Sequence, residues 1–191
     1  MNVESLSIPE VKLIRMKKHG DARGFFSETF KQAAFADAGI DIPFVQDNHV
    51  LSPAKGTLRG LHFQSPPFDQ AKLVRVARGA IFDIVVDIRV GSPTYGKTAA
   101  AIISAENWSQ IFIPSGFAHG LLTLEPDTEV LYKVSNYYAP KNDFGLLWND
   151  PALGIDWPLG DMTPLLSERD KLWPKLADLP AHFTYQPGRS R

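Results

Sequence analysis

The chain has 191 residues and no cysteine, so its chemistry must come from five histidines (His19, His49, His62, His119 and His182) and from tyrosine, lysine and carboxylate side chains. The missing thiol removes disulfides, thiolate zinc sites, iron–sulfur clusters and sulfur nucleophiles together. What remains is acid–base chemistry, or a metal held by nitrogen and oxygen. Two histidines sit in unusual surroundings. His62 lies in Leu58-Arg59-Gly60-Leu61-His62-Phe63-Gln64, where strand alternation puts Leu58, Gly60, His62 and Gln64 on one face and Arg59, Leu61 and Phe63 on the other. Such a histidine is either a satisfied structural residue or a proton-transfer group, for which an ordinary pKa of about 6.5 is well placed. His119 lies in Ile113-Pro114-Ser115-Gly116-Phe117-Ala118-His119-Gly120.

The elements that carry these residues read as strands. In Ala80 to Val90, Asp83, Asp87 and Arg89 alternate with Phe82, Ile84, Val86, Ile88 and Val90, a strand with one polar face. Leu73 to Val76 precedes it, and Gly79 in the short connection suggests a hairpin turn. Further strands are expected at Lys12 to Arg15, Phe25 to Phe30, Val45 to Val50, Thr57 to Gln64, Ala99 to Ser104, Gln110 to Ile113, Gly120 to Leu124 and Thr128 to Ser135. Lys31 to Ala38, closed by Gly39, reads as a short helix. Ser167 to Trp173 reads as another, with Ser167 as N-cap and Asp170 three residues on. The pattern is that of a mainly β chain, a jelly roll or other double-sheet sandwich, forming one domain over residues 1–191.

Charge is nearly balanced, with 20 Lys+Arg against 21 Asp+Glu, so no broad field favours nucleic acid or an anionic membrane as partner. Any anionic ligand must be held by a few placed cations. The N-terminus has no basic segment followed by an apolar one, and Asp83 and Asp87 interrupt the most apolar stretch; both point to a cytoplasmic protein.

The spacing Pro114-x-Gly116-x-x-His119 resembles the second motif of the cupin superfamily, whose first motif supplies His-x-His to a metal site. Here that first motif reads His62-Phe63-Gln64, so the ligand set lacks a histidine and no metal is expected. A longer resemblance covers residues 8–173. Gly20-Asp21-Ala22-Arg23-Gly24-Phe25-Phe26-Ser27-Glu28, Gln46-Asp47-Asn48, Leu58 to Gln64, Lys72 to Val76, Gly79 to Arg89, Phe112 to Gly120, Tyr132-Lys133, Tyr137-Tyr138-x-Pro140, Trp148-Asn149-Asp150-Pro151 and Ser167-x-Arg169-Asp170 follow one another as in dTDP-4-dehydrorhamnose 3,5-epimerases. That resemblance implies a cupin-type jelly roll, with a core at about residues 45–140 and both termini packed on it.

It also implies inversion of the two carbons flanking the C4 ketone of a dTDP-linked 4-keto-6-deoxy sugar, without a cofactor, by a homodimer with exchanged strands. Removing a proton beside a ketone leaves an enolate, so inversion needs a base, an acid on the opposite face and a cation near the oxygen. By family match these are His62, Tyr132 and Lys72, with Asp170 orienting His62. On the residues alone, Ser167-x-x-Asp170 reads first as a capping box, and Tyr132 as a buried strand aromatic. Arg23, Glu28, Gln46, Asp47, Asn48, Arg59, Lys72, His119 and Tyr138 match substrate-binding positions. So do Asp143 and Arg169, which stand where glutamate and lysine are usual. A relative inverting only C3 or C5, a metal-dependent cupin enzyme and a non-catalytic sugar-nucleotide binder are the competing readings. The stretch from Pro174 to Arg191 has no counterpart in the family pattern.

Overall fold

A computed structural model of the chain describes residues 1–187; the end of the tail, Gly188 to Arg191, lies outside the described residues. The first half runs through β1 (Asn2–Ser5), β2 (Lys12–Arg15), β3 (His19–Asp21), β4 (Gly24–Phe26), helix α1 (Gln32–Asp37), β5 (Gln46–Ser52), β6 (Leu58–Gln64) and β7 (Lys72–Arg78). The second half adds β8 (Ala80–Asp87), β9 (Arg89–Val90), β10 (Thr98–Ser104), β11 (Ser109–Ile113), β12 (Phe117–Thr123), β13 (Thr128–Val134), β14 (Asp143–Gly145) and β15 (Phe183–Thr184). They form a six-stranded antiparallel sheet, β1-β2-β11-β7-β13-β5, and a five-stranded antiparallel sheet, β10-β8-β12-β6-β14. This is the expected cupin jelly roll.

Between the sheets, Leu13, Val74, Val76, Ile111, Ile113 and Val130 meet Ile81, Val85, Ile103, Phe117 and Leu121 in the main core. Each sheet is also covered on its outer face. Phe35, Ile40 and Phe30 pack on Ile14, Leu73 and Phe112 of the six-stranded sheet. Trp157, Leu176, Leu179 and Phe183 pack on Ile84, Val86 and Ala118 of the five-stranded one. The stretch from Leu176 to Thr184 is therefore an outer layer of the fold, tied down where β15 pairs with β9.

Three readings change and a fourth is sharpened. The connection at Gly79 is not a hairpin: β7 and β8 belong to different sheets. Gly79 has φ +77°, and a Cβ there would lie 2.4 Å from the Thr128 hydroxyl oxygen, so it turns the chain from one layer to the other in a space no side chain fits. The polar face of β8 is an interior one: Asp83 and Asp87 are fully buried. Asp87 is satisfied by Arg89, Ser92 and Thr94. The strand expected at Phe25 to Phe30 stops at Phe26. Beyond it Ser27 and Thr29 accept bonds from Trp108 and Gln110, and Phe30 turns in against Phe35 and Phe44. The second expected helix shrinks to one 3-10 turn, Arg169–Lys171.

Candidate active site

His62 and Arg59 sit on opposite faces of an ideal strand, yet both line one cavity of about 300 Å³. The cause is an irregularity against β12: His62 pairs with His119 and Arg59 with Leu121, so three steps on β6 match two on β12. Gly60 makes this close approach feasible. It has φ +135°, and a Cβ there would lie 2.5 Å from the Gly120 Cα. Parity is reset, and an imidazole and a guanidinium that alternation would separate are brought together.

The cavity lies between the sheets. The five-stranded sheet contributes Arg59, His62 and His119, and the six-stranded sheet contributes Lys72 and Tyr132; Ser167, Arg169 and Asp170 close one side. An adjoining compartment of about 390 Å³ shares His62, Lys72, Tyr132 and Arg169 and adds Gln46, Asn48, Tyr138 and Asp143. The two make one cleft. A larger cavity of about 700 Å³, beside residues 38–43, contains none of the expected site residues.

His62 Nε2 lies 2.5 Å from Asp170 Oδ1. Ser167 Oγ also accepts the Asp170 backbone N–H at 3.2 Å, so the capping bond and the histidine–carboxylate pair coexist. Asp170 is buried, which opposes its charge, but bonds from His62, Ser167 and Trp173 hold its carboxyl below the usual range. A second pair lies behind the first. His119 Nε2 is 2.9 Å from Oδ2 of Asp83, and burial, only partly offset by Asp83, pushes the imidazole below its ordinary pKa. The sequence reading noted Asp83 only as part of a polar strand face and gave it no role; an acid amid apolar residues was the available signal.

Lys72 is enclosed, and burial lowers its ammonium to about 8, against the pull of Asp143 and Asp83. Its Nζ also reaches the His62 carbonyl at 3.4 Å. Burial raises the Tyr132 hydroxyl above its ordinary value, so the phenol keeps its proton at neutral pH. On the outer side, Asp143 Oδ2 accepts from the Tyr138 hydroxyl at 3.1 Å and from Arg169 Nη1 at 2.7 Å. Gln46 Nε2 donates to Asn48 Oδ1 at 2.9 Å.

Three expected residues lie elsewhere. Asp47 points to the other side of β5, where its carboxylate meets Lys133 Nζ at 2.5 Å. Arg23 is exposed in the β3–β4 hairpin and pairs with Asp21, and Glu28 is exposed beyond it. A cupin metal set does not fit these residues. His62 and His119 are each committed to a separate carboxylate, and Gln64 is bonded to the backbone of Phe68, Tyr137 and Ala139. Among the described residues no cluster of three His, Cys, Asp or Glu is placed to hold a metal.

A jelly roll whose two sheets face an imidazole–carboxylate pair with a phenol and an ammonium defines a carbohydrate epimerase of the cupin-fold class. The model of the dTDP-4-dehydrorhamnose 3,5-epimerase family matches residues 5–178, and the chain belongs to that family. It is 54% identical over 185 residues to the dTDP-4-dehydrorhamnose 3,5-epimerase of Sinorhizobium fredii, covering 97% of this chain and 94% of the relative. The crystal structure of the Legionella pneumophila 3,5-epimerase in complex with dTDP-4-keto-L-rhamnose superposes with a TM-score of 0.93 at 44% identity, covering 97% of this chain and 98% of that one. A 3'-monoepimerase from Streptomyces bikiniensis in complex with dTDP-quinovose gives a TM-score of 0.86 at 38% identity, covering 91% and 87%. Among the described residues no helix is long and apolar enough to cross a membrane.

Proposed function

We propose that the protein converts dTDP-4-dehydro-6-deoxy-D-glucose to dTDP-4-dehydro-L-rhamnose, inverting C3 and C5 in turn. The observation that carries this reading is that His62 and Tyr132 line one cleft from facing sheets. A base and an acid on opposite walls are what inversion requires, whereas exchange alone needs only one of them. His62 Nε2–H donates to Asp170, which leaves Nδ1 as the acceptor for the carbon-bound proton. Lys72, charged below about pH 8, stabilises the enolate oxygen formed at C4. Tyr132 then returns a proton to the other face.

For the nucleotide, Arg59 and Arg169 offer donors to the diphosphate and Tyr138 an aromatic face to thymine, while His119, its Nε2 engaged with Asp83, lines the cleft beside them. Gln46, Asn48 and Asp143 line the compartment beside it. Incubation in D2O tests the reaction: deuterium at both C3 and C5 of the product is expected. Label at one carbon only assigns a monoepimerase, the reading favoured by the resemblance to the Streptomyces enzyme. No label refutes epimerisation.

The protein is further proposed to be a single domain that works as a homodimer in the cytoplasm. Support for the dimer comes from the hairpin around Arg23, where Phe25 is 55% and Phe26 66% exposed. The absence of Arg23 and Glu28 from the chain's own cleft supports their serving a partner's.

A further inference from the structure

One indole joins the acid–base pair to the nucleotide side of the cleft. Trp173 Nε1 donates to Asp170 Oδ1 at 3.3 Å, the same oxygen that meets His62. Its ring stands edge-on to the His62 imidazole, with centroids 6.3 Å apart and planes at 70°. The Arg169 guanidinium lies 5.1 Å from the centre of the indole while its Nη1 holds Asp143. The seat for the ring is Gly145 of β14, where a Cβ would lie 2.6 Å from Nε1. Next to it the Leu147 N–H donates to the Pro174 carbonyl at 2.8 Å, anchoring the residue that follows Trp173.

We propose that Trp173 is a positioning residue for proton transfer, fixing the Asp170 carboxylate through its N–H and the His62 ring through its edge. The proposal rests on the acid–base reading above. Asp170 Oδ1 is held from two directions, so the carboxylate cannot swing away from His62 when the imidazole changes charge. The planar guanidinium of Arg169 also gains a role here, since it spans Asp143 and the indole face together, which a lysine ammonium does not do in the same geometry.

The test is Trp173→Phe, which keeps a ring on Gly145 and removes the N–H. Expected is a fall in kcat of about tenfold, the scale of one bond to a charged group, with KM and dTDP affinity within about twofold of the parent. Removing a donor leaves more charge on Asp170, which then holds the imidazolium more tightly. The acid limb of kcat/KM therefore moves to higher pH, a change that loosened packing alone does not produce. Lys72, His119, Tyr132, Arg59 and Asp143 also line the cleft around His62 and are unchanged by the substitution; Arg169, which packs on the indole, keeps an aromatic face beside its guanidinium. An unchanged kcat and acid limb overturn the proposal. Should the variant not fold, the indole N–H resonance of Trp173 in the parent protein decides: it should shift with the titration of His62, and a resonance insensitive to pH overturns the proposal. That second measurement needs no turnover, so it also separates this idea from the activity reading, which stands or falls on deuterium incorporation by the parent protein.

Discussion

His62 and Asp170 are 108 residues apart in sequence and 2.5 Å apart in space, joined through Nε2 and Oδ1 at one wall of the cleft. The contact determines which ring nitrogen carries the proton and so which one is free to take another. Asp170→Asn keeps the shape and removes the charge that stabilises imidazolium. By the scale of such pairs elsewhere, kcat should fall by about 10²–10⁴-fold. Calorimetry should find dTDP binding within about threefold of the parent, since the pair faces the sugar; equal losses of binding and turnover would instead make Asp170 a structural support.

Lys72 is expected to set the alkaline limit. Its ammonium is lowered to about 8 by burial, so in the free enzyme it is charged below that pH and neutral above it. Because the charged form is the one that meets an enolate, kcat/KM should decline as pH rises through about 8. A bound diphosphate favours the ammonium, so the corresponding limb of kcat should lie higher. Coincident limbs would argue that another group limits the rate. Lys72→Met should remove the limb along with most of the turnover.

Tyr132 separates inversion from exchange. With Tyr132→Phe the base can still remove a proton and return it, or a deuteron, to the same face. In D2O, substrate recovered from the variant should carry deuterium while inversion falls by about 10²–10³-fold, the usual worth of a positioned acid. Loss of exchange in proportion to inversion would move Tyr132 out of the acid role. NMR of the recovered sugar nucleotide distinguishes the two results.

Gly60 explains both how far the sequence could be read and where it misled. Strand alternation in Leu58 to Gln64 located the strand but assigned Arg59 and His62 to opposite faces; a register irregularity, which alternation cannot express, brings them together. The same limit applies at Gly79, where a turn glycine was visible but its destination, the other sheet, depended on layer packing. The burial of Asp83 was not legible because its face of β8, shared with Ile81 and Val85, looks toward the other sheet, whose strands lie elsewhere in the chain. By contrast His62, Lys72, His119, Tyr132 and Asp170 were legible as a set, since ordered motifs carry information that single positions do not. Gly60→Ala tests the irregularity itself. With a Cβ 2.5 Å from the Gly120 Cα, it should cost about 2–4 kcal/mol in chemical denaturation and depress turnover through misplacement of His62. A neutral effect on both would show that the strands can separate freely.

Arg23 offers the sharpest test of the dimer proposal, because its side chain is 90% exposed and pairs only locally with Asp21 among the described residues. If it serves the partner's cleft, Arg23→Ala and His62→Ala each inactivate a homodimer for different reasons. Co-refolded together, half of the dimers are mixed. In a mixed dimer one cleft combines His62→Ala with the arginine-less hairpin and is dead. The other combines an intact His62 with an intact Arg23. Activity should therefore return to about one quarter of the parent value on mixing two nearly inactive proteins. If Arg23 acts within its own chain, every cleft in the mixture carries one defect and no activity returns. Sedimentation of the mixture checks that dimers form in both cases, so an absence of rescue can be assigned to the location of Arg23 rather than to failed assembly.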